Sequence, residues 1–292
     1  MYLQLINNAI IINFDDIIAD KNLNIHKLVV NTFNTWQKGR TTYQKESDTN
    51  IGKIAEFAVA TAFRIFNIPI YYPYDSFRKD NFKLHAPFDA LLCECLEDDL
   101  VKLINSSVKK NGPKLSPEVR KQIRKFNAFT VEIKSTRLAK KYKERAHFTD
   151  YNNPKEVESL FSELDSLDFL TYPFFLREGD LNFENYCKFV KDKIGLSSID
   201  NDLKKDVLKI EKENSDDVYI RVFIDEDARK AIIMGWVDKK TFYENASLMK
   251  LIQKGKSEKA LYFVCPLRMG RPLADINSLL IYYLNEAREG EK

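Results

Sequence analysis

Hydrophobic and polar positions change period several times along the chain, and each period predicts an element. The cleanest alternation is AFTVEIKST (128–136), where Phe129, Val131 and Ile133 share one face of a strand and Thr130, Glu132 and Lys134 the other. PFDALLCECL (87–96) predicts a second, short strand, and VYIRVFID (218–225), KAIIMGWVD (230–238) and ALYFVCPL (260–267) predict three more. GKIAEFAVATAFRIFN (52–67) is apolar on nearly every side, the pattern of a helix buried in a core. Asp48, Thr49 or Asn50 supplies its cap, Pro69 ends it, and IYYPY follows as an extended segment. Residues 1–48 predict helices, with apolar positions at Ile11, Ile12, Phe14, Ile17 and Ile18 and again from Leu28 to Trp36.

The remaining stretches are polar. Residues 97–126 read as a basic insertion, 150–212 as a charged helical region, and helices are expected from Lys239 and near 273–288. There is no internal repeat or low-complexity tract. Helices flanking a central mixed sheet make the fold class α/β (α+β).

Composition narrows the chemistry. With 292 residues, 44% hydrophobic and 30% charged, the chain can build a core and is too apolar for disorder. Lys+Arg 46 against Asp+Glu 43 leaves +3, so any grip on a polyanion must come from local clustering. Nine glycines, with neither GxGxxG nor GxxxxGK[ST], argue against a dinucleotide or P-loop enzyme and predict no small-molecule cofactor. Cys93, Cys95, Cys187 and Cys265 are too few for a disulfide framework and lack a C-x2-C pair, so they read as thiols. His26, His85 and His147 give little support to a zinc site or a triad. The N-terminus lacks a basic leader and no apolar run approaches the ~20 residues of a span, which predicts a cytoplasmic protein without a membrane partner.

Three acidic positions stand out against apolar surroundings. Glu56 lies inside the apolar helix with Val59, Ala60 and Phe63 on its face, where a carboxylate is costly unless paired or bound to a cation. Taken alone it also fits a partly exposed glutamate favoured by the helix dipole. Asp89, just after Pro87, alone fits a turn or cap residue. Glu132 and Lys134, alone, fit a surface ion pair on a strand.

Taken in order, these segments resemble the PD-(D/E)xK nuclease superfamily, most closely a type II restriction endonuclease. GKIAEFAVATAF, PFDALL and VEIKST stand where that family has its first helix and its second and third core strands. The likeness covers about residues 50–136 by motif and extends loosely to the strands at 218–238. The long Asp89-to-Glu132 separation departs from the family and is accounted for by the insertion 97–126.

The resemblance implies one nuclease domain over 1–292. It has a helical N-terminal addition at 1–48, a catalytic core at 49–145 and 214–292, and a helical insertion at 146–213 suited to DNA recognition. It further implies a Mg²⁺-dependent endodeoxyribonuclease, with Mn²⁺ as a substitute, acting on double-stranded DNA as a homodimer. Asp89 and Glu132 would hold the metal with the Ile133 carbonyl, and Glu56 a second metal or its water. Lys134 would either activate the attacking water or stabilise the phosphate. Arg120, Arg124, Arg137, Lys140, Lys141 and Lys143, with Lys38, Arg40 and Lys45, are the candidates for the phosphate path. Three other readings stay open: a repair, recombination or phage-type nuclease acting on structured DNA, a non-catalytic DNA-binding protein with this fold, and a soluble α/β protein whose acidic residues coincide by accident.

Overall fold

A computed structural model describes residues 4–6, 9–18, 42–68, 70–174, 201–252, 259–276 and 278. In place of the helices expected at the N-terminus, the chain forms a β-hairpin, β1 (Gln4–Ile6) and β2 (Ala9–Asn13), followed by the short helix α1 (Phe14–Ile18). The reason lies in double-sided burial. Ile10 and Ile12 pack into one core cluster and Ala9 and Ile11 into another, so β2 reads as an apolar run instead of an alternation. Trp36, Lys38, Arg40 and the rest of 19–41 lie outside the described residues, as does the side chain of Lys45.

Helix α2 runs Thr42–Ile65 and starts earlier than predicted, with Asp48, Thr49 and Asn50 inside it. The polar-to-apolar change marks where the helix enters the core: Ile51, Ala55, Ala58, Val59 and Ala62 pack against the sheet. After it come β3 (Tyr71–Pro73), a 3₁₀ turn at Tyr74–Ser76 and β4, which is only Ala90–Leu92.

The segment 97–126 is a folded helical pair, α3 (Asp98–Asn111) and α4 (Pro117–Lys125). Leu100, Ile104 and Val108 share a face of α3 at helical spacing, and with Ile123, Leu91, Phe88 and Tyr74 they form a satellite core. Strand β5 (Phe129–Arg137) is followed by α5 (Lys140–Arg145), α6 (Pro154–Asp165), β6 (Asp168–Thr171) and α7 (Asn201–Asn214). The region 146–213 is therefore not wholly helical. Then come β7 (Val218–Asp225), β8 (Lys230–Asp238), α8 (Lys239–Glu244), β9 (Ser247–Ile252) and β10 (Lys259–Pro266). Of the expected last helix, Leu273–Ile276 forms a 3₁₀ turn, and from 277 on only residue 278 is among the described residues.

The main sheet has seven strands in the order β1-β2-β8-β7-β5-β4-β3. It is mixed: β5 and β7 run parallel, and every other neighbouring pair is antiparallel. Helices α1 and α2 cover one face. The other carries α6, α7, α8 and a second sheet, β6-β10-β9, in which β6 and β10 pair across the chain. A central mixed sheet flanked by helices is thus found, with a small second sheet that includes the expected strand at 260–267 and whose β6 the charged pattern of 150–212 concealed.

Sheet irregularities decide where a site can form. Gly235, at φ +108°, sits where a Cβ would come within 2.3 Å of the Arg271 carbonyl oxygen, so the close approach there requires glycine. More consequential is the end of β4. Its ladder with β5 stops at Ala90↔Val131, while β5 goes on pairing with β7 as far as Arg137↔Ile224. Past Val131 the two strands part, and the gap opens into a cleft.

Candidate functional site

The cleft encloses about 460 Å³, lined by Lys53 and Glu56 of α2, Asp89 just before β4, Glu132 and Lys134 of β5, and Tyr172 just after β6. Each element brings its residue there for a local reason. The last ladder bond on this side runs from the Asp89 N–H to the Val131 carbonyl, at 2.9 Å. One rung further on, the Ile133 N–H donates to Asp89 Oδ2 at 2.6 Å, so a side chain replaces the backbone acceptor that β4 no longer supplies. Because N–H and C=O of one strand residue point to the same edge, the Ile133 carbonyl is on the cleft edge too.

Glu132 and Lys134 alternate with the buried Val131 and Ile133 and form an ion pair, with side chains 16% and 21% exposed. The Lys134 ammonium also lies 5.1 Å from the centre of the Tyr172 ring. Burial pushes the Glu132 and Asp89 carboxyls up, each to about 7, with Asp89 adding to Glu132 and Glu56 to Asp89. Burial, Asp75 and Glu132 likewise raise Glu56. Lys134 goes the other way from what burial alone would do: Glu132 and Asp89 hold it well above the usual lysine range.

All four residues of the expected constellation, Glu56, Asp89, Glu132 and Lys134, thus face one cleft from three separate elements. Glu56 is held by a basic neighbour one turn earlier on α2. Lys53 Nζ donates to both its oxygens, at 2.9 and 2.7 Å, and to Asp75 Oδ2 at 2.7 Å. Arg78 closes the set by donating to Asp75 Oδ1 at 2.9 Å and to Asp80. The i, i+3 spacing of Lys53 and Glu56 is a legible signal; nothing in the sequence points to Asp75.

The donor set suits a hard divalent cation. Asp89, Glu132 and the Ile133 carbonyl offer oxygen, and Mg²⁺ keeps several waters when held by one or two carboxylates. The buried Tyr71 hydroxyl, which Glu56, Asp89 and Asp75 all influence, has no hydrogen-bond partner among the described residues. Among the described residues, no group of three or more His, Cys, Asp or Glu side chains is gathered closely enough to hold a metal ion. Side chains alone therefore supply two carboxylates here, with Glu56 engaged by Lys53.

The basic candidates separate into two kinds. Arg120 points inward: it is buried, and Nη1 donates to Thr130 Oγ1, the Ser215 carbonyl and Asp216 Oδ1 at 3.2, 2.9 and 3.0 Å. Arg124 pairs with Asp217, which also holds Lys239 at 3.0 Å. Lys143 pairs with Asp225 at 2.7 Å. Arg137, at 2.6 Å from Glu226, is more exposed, and Lys140 and Lys141 lie on the surface, Lys140 3.3 Å from Glu144 and Lys141 over the Tyr142 ring.

His85 also lines the cleft, where burial, Arg78 and Lys134 favour its neutral form. Cys93 and Cys265 are buried thiols and Cys95 is exposed. Trp236 is fully buried and donates to the Pro272 carbonyl, a packing residue. His26 and Cys187 lie outside the described residues. No helix among the described residues is long and apolar enough to cross a membrane. The chain matches no family model, no curated protein and no solved structure.

Proposed function

We propose that the protein is a cytoplasmic, metal-dependent endodeoxyribonuclease of the PD-(D/E)xK type that hydrolyses phosphodiester bonds in double-stranded DNA. One observation carries the reading: a helix glutamate, a strand-end aspartate and a Glu-x-Lys pair meet in one cleft where two strands part. A structural ion pair would account for Glu132 and Lys134 but not for a second buried carboxylate, Asp89, raised to about 7 beside them.

Asp89, Glu132 and the Ile133 carbonyl would hold Mg²⁺ or Mn²⁺, which when bound neutralises phosphate charge and makes water nucleophilic near neutral pH. Lys134 keeps its proton because Glu132 and Asp89 stabilise the charge. That favours phosphate stabilisation over proton abstraction as its role. Arg137, Lys140 and Lys141, on and after β5, would lead the backbone away from the cleft. Cutting both strands takes two such clefts, so the working unit in this reading is a homodimer.

Incubation of supercoiled plasmid and phage DNA with Mg²⁺, beside chelator and Lys134→Ala controls, tests the proposal. Cleavage lost in both controls, with DNA binding retained by Lys134→Ala, is the expected result. Discrete fragments indicate sequence-specific cutting, and a smear indicates the repair-type alternative. Metal-dependent cleavage that survives both Asp89→Ala and Lys134→Ala would remove the assignment.

A further inference from the structure

We infer that Lys53 takes the place of a second metal ion, so that this cleft binds one divalent cation per chain and not two. The inference rests on the nuclease reading above and concerns the metal count of the same site.

The geometry around Lys53 is the basis. Its ammonium has three protons, and three acceptors lie at bonding distance: Glu56 Oε1, Glu56 Oε2 and Asp75 Oδ2, at 2.9, 2.7 and 2.7 Å. Its side chain is only 9% exposed, and those of Glu56 and Asp75 are 17% and 8% exposed, so water cannot readily substitute. A cation bridging two carboxylates on the wall of a cleft is what a second metal would be. Here it is covalently part of α2, one turn before Glu56.

The local charge balance agrees. Glu56, Asp75, Asp80, Asp89 and Glu132 face Lys53, Arg78 and Lys134 in the linked ion pairs and hydrogen bonds, a formal charge of −2. One divalent ion neutralises that, and two would leave the cluster positive. Each end carries −1, and the single ion belongs at Asp89, Glu132 and the Ile133 carbonyl because Asp89, held by the Ile133 N–H, has no ammonium or guanidinium hydrogen-bonded to it among the described residues. Lys53 is thus a positioning residue: it fixes Glu56 and Asp75 and denies them to a metal.

The test is a Mn²⁺ titration of the full chain, with free Mn²⁺ read by electron paramagnetic resonance. Wild type should bind one ion per chain, and Lys53→Met should bind two, because Glu56 and the Oδ2 of Asp75 are then released while Arg78 still holds Oδ1. Glu56→Gln, with Lys53 in place, should still bind one. Two ions on the wild type, or loss of the ion in Glu56→Gln, would overturn the inference and leave the nuclease reading standing. A Lys53→Met protein that is folded by circular dichroism yet binds only one ion would also overturn it. No ion on the wild type, alone or with duplex DNA, would remove the metal site itself and both readings with it.

Discussion

The backbone N–H of Ile133 donates to the Asp89 carboxylate at 2.6 Å, and this bond makes Asp89 at once the last stitch of the β4–β5 ladder and the first group of the cleft. An aspartate in that position holds strand geometry and at the same time lines the cleft. Removing its charge should therefore separate fold from chemistry.

Asp89→Asn keeps an acceptor for Ile133 and deletes the charge. In the native protein Asp89 is raised to about 7, above the ~3.9 of an unfolded chain. Between those values the folded state binds more protons than the unfolded, so stability falls as pH rises. Without metal, Asp89→Asn should melt close to wild type near pH 4 and higher than wild type at pH 8, by about 2 kcal/mol or a few degrees. Mg²⁺ should raise the melting temperature of wild type at pH 8 and barely move that of the variant. Thermal melts at both pH values, with and without Mg²⁺, check this; a variant less stable than wild type at pH 8 without metal contradicts it.

Lys140 and Lys141 serve as a test of the phosphate path. Lys140→Ala and Lys141→Ala should weaken DNA binding by similar factors for unrelated sequences, and each should reduce the slope of log K against log salt by about 1. Fluorescence anisotropy over a salt series measures this. A loss confined to one sequence would instead make the residue a base reader.

Asp217 is a buried ion site built from two cations. It is 4% exposed and accepts from the Thr130 N–H at 3.0 Å, with Arg124 and Lys239 beside it. Lys239 and Arg124 hold its carboxyl far below the usual range despite its burial. A depressed folded value means its contribution is fully present above the unfolded ~3.9, declines below that and is lost only as pH falls through the folded value. Asp217→Asn leaves Lys239 buried without a counter-charge and should lower stability by roughly 3–5 kcal/mol at pH 7, the gap narrowing at pH 3 and closing only below the folded value of Asp217. Denaturant melts at pH 7 and pH 3 give the comparison.

Much of the site is legible in the sequence because the strands that carry it have one polar face. Glu132 and Lys134 interrupt an otherwise apolar strand at period two, and Glu56 interrupts an apolar helix. Asp89 is legible only through its neighbours. The hidden features have physical causes. The β-hairpin strand at Ala9–Asn13 is buried on both faces and shows no alternation. Strand β6 is four residues long and takes its partner, β10, from nearly a hundred residues away. Lys53 can be read as a helix neighbour of Glu56, whereas its bond to Asp75 depends on how α2 meets the turn after β3. Arg120 looks like one charge in a basic run; only the fold shows that its partner is Asp216.

The parting of β4 from β5 has a second consequence. Beyond Val131, one edge of β5 has no strand partner among the described residues, and an open edge is a template for a foreign strand. Glu132, Lys134 and Arg137 place three charges along that stretch, which hinders another chain from zipping onto it. Two of the residues proposed for chemistry, Glu132 and Lys134, would thereby also act as edge charges that oppose strand-to-strand association. Variants that silence the cleft by removing those charges should therefore also be compared with wild type for self-association.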